Sequence, residues 1–193
     1  MIILHVSDIH CASTTLRKLI SEASYDLVAA TGDFECLESA ETLLSSPGDV
    51  VAVTGNMDNP SIRRRLSEAG VLVDGRQTVI SGVRIAGVGG LDVASSIEML
   101  SRNVDKVDLL LSHHPPRGIL DVNLLGVHSG LDEVAWVSDK LGPRIHLFGH
   151  IHESPGSVIS SGRLYVNPGP LLQGRYAIID YTSLEARLLR VFE

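Results

Sequence analysis

Cysteine is almost absent from this chain: only Cys11 and Cys36 occur, and neither belongs to a CxxC pair. A disulfide framework is therefore not expected, and the default reading is a reduced, cytoplasmic compartment. Both cysteines read as small buried apolar side chains, with metal-proximal redox sensitivity as the weaker rival because each follows a motif. No apolar run approaches the length of a membrane span, and the first residues enter a strand without a basic n-region and an apolar h-region. No membrane partner is expected. Basic charge is also short, with 16 Lys and Arg against 23 Asp and Glu and a net charge of -7. Bulk electrostatics thus give no nucleic-acid footprint, and a nuclease is disfavoured.

Repeats, low-complexity tracts and linkers are missing too. The 193 residues, 44% hydrophobic and 20% charged, suffice for one core, so residues 1–193 are expected to form a single domain. Its homo-oligomeric state is left open.

What is present is a recurring pattern of apolar runs that end in Asp, His or Asn. Met1–His10 ends in Ser7-Asp8-Ile9-His10, Leu27–Asp33 in Thr31-Gly32-Asp33, and Val50–Asn59 in Gly55-Asn56-Met57-Asp58-Asn59. Val107–His114 ends in Ser112-His113-His114, and Ile145–His152 in Gly149-His150-Ile151-His152. Between them the spacing predicts helices from Ser13 or Thr14 to Ala23, over Leu37–Leu44, from Pro60 to Ala69, over Ser95–Asn103 and over Gly130–Leu141. Short strands are expected at Val71–Val73, Thr78–Ile80 and Val83–Val88, and later at Ser157–Ser160, Arg163–Val166, Tyr176–Asp180 and Glu185–Phe192. The order predicts an α/β protein of two sheets with helices outside. In open α/β sheets ligands bind beyond the carboxyl ends of the strands, so the terminal side chains share one crevice.

The convergent set is Asp8, His10, Asp33, Asn56, His113, His150 and His152. Two carboxylates, an amide oxygen and four imidazoles suit first-row ions rather than an all-oxygen calcium site. Asp8 and His10 are two apart and are expected to project to one side of a strand end, as are His150 and His152. Seven donors are too many for one ion but suit two that share a carboxylate, held about 3.5–4 Å apart and activating a water between them. Mn is favoured, with Fe, Zn, Ni or Co also admitted. The residual charge of such a centre, about +1, attracts a phosphate.

The ordered motifs Asp8-x-His10, Gly32-Asp33, Gly55-Asn56-x-Asp58, His113-His114-Pro115-Pro116 and Gly149-His150-x-His152 resemble the calcineurin-like metallophosphoesterase family, most of all its compact archaeal and bacterial phosphodiesterase-like members. Asn167-Pro168-Gly169 resembles the family's late turn. The resemblance implies a four-layer α/β/β/α sandwich with two mixed sheets and a dimetal site at the strand carboxyl ends. It also implies that one ion takes Asp8, His10, Asp33 and His152, and the other Asp33, Asn56, His113 and His150, with Asp33 bridging.

One position departs from the family pattern. Its third motif commonly carries a His as general acid, and here Met57 stands there. Methionine transfers no proton, so the expectation is a phosphodiesterase that acts on a small phosphorylated substrate through a metal-bridging hydroxide. Asp33 and Asn56 are the expected catalytic ligands. Asp58 is read either as orienting Asn56 or a bound water, or as a turn or cap residue. His128, before Ser129-Gly130 at a predicted helix start, is read as a phosphate contact aided by helix amides, or as the replacement acid of a phosphomonoesterase, against an ordinary loop residue. A non-catalytic metal-binding interaction module is the rival from another class. His5 and His146 read as packing residues, and His114, next to a proposed ligand, as a support for that ligand or a packing residue.

Overall fold

The computed structural model describes residues 1–191 and has two mixed sheets between two layers of helix. Strands β1 (Ile2–Val6), β2 (Leu27–Thr31) and β3 (Asp49–Val53) alternate with helices α1 (Ser13–Glu22), α2 (Leu37–Leu44) and α3 (Pro60–Glu68). The three strands are parallel neighbours, and their nearly continuous burial reflects cover on both faces. The second sheet is formed by β4 (Gln77–Ile80), β5 (Val83–Val88), β6 (Leu109–Ser112), β7 (Ile145–Leu147), β8 (Gly156–Ser160) and β9 (Arg163–Asn167), in the order β4-β5-β6-β7-β9-β8. Helices α4 (Val93–Asn103) and α5 (Asp132–Leu141) make the crossovers between its parallel central strands. A single 3-10 turn at Leu171–Gln173 leads into β10 (Arg175–Asp180) and β11 (Glu185–Arg190). These return antiparallel beside β1, giving a first sheet ordered β11-β10-β1-β2-β3.

Alternation along each doubly covered strand feeds separate cores. Ile3, Leu27, Ala29, Leu109 and Leu111 pack between the sheets. Leu4, Val6, Val28 and Ala30 face α1 to α3, together with Leu16, Leu43 and Ile62. Leu110 joins Val134, Val137 and Leu100 under α4 and α5. This is the expected four-layer α/β/β/α sandwich. Among the described residues no helix is long and apolar enough to cross a membrane.

Several expectations need correction. Val71–Val73 is not a ladder strand: Leu72 bridges Ala52 of the first sheet and Asp74 bridges Gly87 of the second, so the segment crosses between the sheets and pairs only once with each. Neither Ser13 nor Thr14 caps α1, because Ala12 occupies that place. Helix α5 starts at Asp132 rather than Gly130, whose amide is taken by the Asp121 carboxylate at 3.0 Å. Of the last predicted strand, Glu185–Arg190 is found, and its end at Phe192 lies outside the described residues.

The two cysteines are the larger correction, since Cys11 and Cys36 are joined as a disulfide. β1 and β2 are adjacent, and their following turns run side by side, which brings the two Cα atoms to 5.2 Å. A separation of 25 residues hides this in the sequence, and the argument for a reduced compartment loses its basis. Closing a loop of this length contributes about 3 kcal/mol through the unfolded chain. Reduction, or Cys11→Ser with Cys36→Ser, should lower unfolding free energy by that order in denaturant titrations, and equal stability of both forms would show that the bridge does not constrain the chain.

His5 and His146 are fully buried, as packing residues should be. His146 lies 2.8 Å from Ser112 Oγ and 3.1 Å from Ser138 Oγ. Burial, with help from Arg163 and His5, pushes its pKa from 6.5 to about 3, and burial takes His5 to about 3 as well. Between those limits the unfolded chain binds protons that the folded chain refuses. Stability is thus complete above pH 6.5 and declines as pH falls towards 3. His146→Gln should flatten part of this decline in denaturation series at successive pH values, and an unaltered slope would exclude His146 as its source.

Candidate metal centre

The proposed ligands gather beyond the carboxyl ends of β1, β2, β3, β6 and β7. One ligand atom each from Asp8, His10 and His152 lie within 4.8 Å of one another, and so do those of Asp33, His113 and His150. Asn56 joins the second group, with Oδ1 2.8 Å from His113 Nε2. All seven residues therefore converge.

They converge by turns rather than by strand alternation. β1 ends at Val6 and β7 at Leu147, before the ligands begin. Asp8 (φ 50), His10 (φ 44), Asp33 (φ 53) and His150 (φ 68) all occupy the left-handed region. Each such residue costs on the order of 1–3 kcal/mol, held in place by its surroundings. Gly149 permits the closest approach, because a Cβ there would collide with Ser7 Oγ and Asp8 Oδ2.

Hydrogen bonds fix the imidazole tautomers. His113 Nδ1 lies 2.8 Å from the Thr31 carbonyl, an acceptor only, so Nδ1 donates and Nε2 carries the free lone pair. That Nε2 faces Asp33 Oδ2 at 3.5 Å and His150 Nδ1 at 3.2 Å. His10 Nδ1 likewise pairs with Glu35 Oε1 at 3.0 Å, which turns Nε2 towards His152 Nε2 at 3.4 Å. His152 Nε2 lies 3.2 Å from Asp8 Oδ1. Around His113 Nε2, acceptor atoms of Asn56, Asp33 and His150 converge, an arrangement that suits a cation.

The charges agree. Burial works to raise Asp8, but hydrogen bonding to His152 and Ser7 and the neighbouring His113 outweigh it and hold the group at about 2. Burial, with His113, lowers His150, whereas hydrogen bonding to Asp8 raises His152. His114 packs its ring 4.3 Å from that of His150 and 5.1 Å from that of His113, and burial and these neighbours lower it to about 3.

Other proposed residues lie outside the donor clusters. Asp58 is buried and accepts from the amides of Gly55 at 2.8 Å and Glu35 at 2.9 Å, the contacts of a carboxylate that holds two turns. Burial raises its pKa. The Met57 side chain is 57% exposed rather than packed beside the ligands, while its amide donates to Asp33 Oδ1 at 2.8 Å. His128 lies on the loop between β6 and α5, and its Nδ1 is 2.6 Å from Asp121 Oδ1. The expected phosphate seat on helix amides is not found there. The α5 first turn carries Asp132 and Glu133, and the Gly130 amide is already bonded. Glu35 was not singled out by sequence reasoning, although its spacing from Asp33 was a signal for a second carboxylate at the same strand end.

Residues 1–184 match the calcineurin-like phosphoesterase superfamily domain. The chain belongs to this superfamily. Human metallophosphoesterase domain-containing protein 1 is 38% identical over 66 residues, which cover 32% of this chain and 19% of that protein. The match therefore spans about a fifth of the human relative. Among solved structures, TT1561 of Thermus thermophilus has a TM-score of 0.78 at 19% identity over 98% of both chains. An archaeal phosphodiesterase has a TM-score of 0.65 at 20% identity, covering 99% of this chain and 100% of that one. Zinc-bound Vps29 of Entamoeba histolytica has a TM-score of 0.57 at 15% identity over 99% and 98%. These three share the fold.

An ion that binds only the folded chain stabilises it by about 2.7 kcal/mol at a hundredfold excess over Kd. Melts of chelator-treated protein should shift upward with added Mn, and the shift should shrink in Asp33→Ala. Superimposable melts with and without every first-row ion would reject the metal centre.

Proposed function

We propose that this phosphoesterase-family chain hydrolyses phosphodiesters with two first-row divalent ions, Mn foremost. The single observation that carries the reading is the pair of donor clusters, each bringing one carboxylate and two imidazoles within ligand reach of one another. Asp8, His10 and His152 would hold one ion and Asn56, His113 and His150 the other, with Asp33 shared. Bound ions of this kind lower the pKa of water and neutralise phosphoryl charge.

The chain's own residues do the rest. Glu35 and the Thr31 carbonyl orient His10 and His113 so that each presents Nε2 to the site. Asp58 ties the Asn56 turn to the Glu35 turn, which holds the two clusters in register. Met57 puts no proton donor where the family commonly has one, so esters of acidic alcohols leave readily and others need help from elsewhere. The diester reading is in line with the function stated for the archaeal phosphodiesterase of like fold.

Paired aryl diester and monoester substrates, assayed on metal-stripped protein reloaded with Mn, Ni, Co, Zn or Mg, test the proposal. Diester turnover should exceed monoester turnover, and Asp33→Ala should abolish both. Equal rates on the two classes would overturn the diester preference. Stoichiometric binding of two ions without hydrolysis would make the chain an interaction module.

A further inference from the structure

The loop from Arg117 to Leu131 is built around one buried carboxylate. Asp121 is fully buried, and its Oδ2 accepts from the amides of Gly118 at 2.9 Å and Gly130 at 3.0 Å. Its other oxygen, Oδ1, lies 2.6 Å from His128 Nδ1. Burial works to raise Asp121, but the bonds from His128, Gly118 and Gly130 outweigh it and lower its pKa. The group is therefore an ionised acceptor, and His128 Nδ1 must donate. Nε2 is left as the working nitrogen of a side chain that is 53% exposed.

The loop is tied to both His-bearing turns. At its base the Leu131 amide donates to the Pro115 carbonyl at 3.0 Å and the Arg117 amide to the Leu131 carbonyl at 3.2 Å, a few residues beyond His113. On its other side Ser154 Oγ donates to the Val122 carbonyl at 2.6 Å, two residues after His152. Val122 pairs antiparallel with His128. His128 thus stands one strand spacing, about 5 Å, from the residue bonded to the His152 turn.

We infer that His128 is the proton donor to the leaving group of this phosphoesterase and that Asp121 is its positioning residue. The inference rests on the proposed phosphodiester hydrolysis. As water adds to phosphorus, the P–O bond to the departing alcohol breaks and its electron pair goes to that oxygen. The Nε2 proton of the His128 imidazolium moves to the oxygen, releasing a neutral alcohol and leaving neutral imidazole with Nδ1–H still on Asp121. The proton lost by the attacking water returns through solvent to Nε2 for the next turnover. The exposed side chain, on a loop tied to both His-bearing turns, supplies what Met57 cannot.

The test compares diesters with an alkyl and an aryl leaving group, because only the former needs the proton. His128→Ala should lower the alkyl-to-aryl kcat ratio by about 100-fold, and added imidazole should restore part of it. Asp121→Asn should lower the ratio by about tenfold, with its effect in kcat rather than KM. The double variant should be no worse than His128→Ala alone. Independently of activity, 15N shifts of metal-free protein should show neutral His128 as the Nδ1–H tautomer and its loss in Asp121→Asn. An unchanged ratio in His128→Ala, a substitution at an exposed site, overturns the proton transfer. An unchanged tautomer in Asp121→Asn overturns the positioning role. Wild-type inactivity on both esters instead overturns the phosphodiesterase reading and the proton transfer with it, while the tautomer still decides what Asp121 does.

Discussion

The centre of this molecule is a gathering of Asp, Asn and His ligand atoms at the ends of five strands. With Nδ1 directed at the Thr31 carbonyl, His113 turns Nε2 towards the oxygens of Asn56 and Asp33. Holding so many ligand atoms within reach of one another takes support from the turns that carry them. Left-handed backbone at Asp8, His10, Asp33 and His150 is tolerated because parallel strands anchor each turn from behind. The Cys11–Cys36 bridge and the Asp58 carboxylate fasten those turns to one another. Rigidity here comes from around the site, from bonds that contribute nothing to the ligand count.

Phosphoryl chemistry divides between two parts of the fold in the mechanism we propose. The strand ends assemble acceptors for ions, and the loop after His113 presents the remaining polar machinery. Asp121 is enclosed by its own loop and supports an imidazole that remains open to solvent. Separating the metal ligands from the proton donor in this way lets the third motif carry Met57 without emptying the site of acid chemistry.

The layered fold and the candidate ligand set were both legible in the chain. Apolar runs such as Leu27–Ala30 are long enough for one buried strand and are too uniformly apolar for a half-exposed one, so helices had to lie on the outer faces. His and Asp at the ends of several such runs needed no long-range information to be recognised as convergent, since strand direction alone brings them together. Boundaries were less legible. Gly130 reads as a helix start until its amide is found bonded to Asp121, nine residues earlier and adjacent only through the folded loop.

By itself the sequence determined the α/β class, the two-sheet sandwich and the identity of the candidate metal-binding side chains, because periodicity and strand-end position are local properties. Only the tertiary structure decided the pairing of Cys11 with Cys36, the tautomers of His10 and His113, the burial of Asp58 in a turn and the coupling of Asp121 to His128. Each of these depends on which distant backbone atoms come within hydrogen-bonding or covalent reach, and that distance is set by sheet order and loop path rather than by any residue's neighbours in the chain.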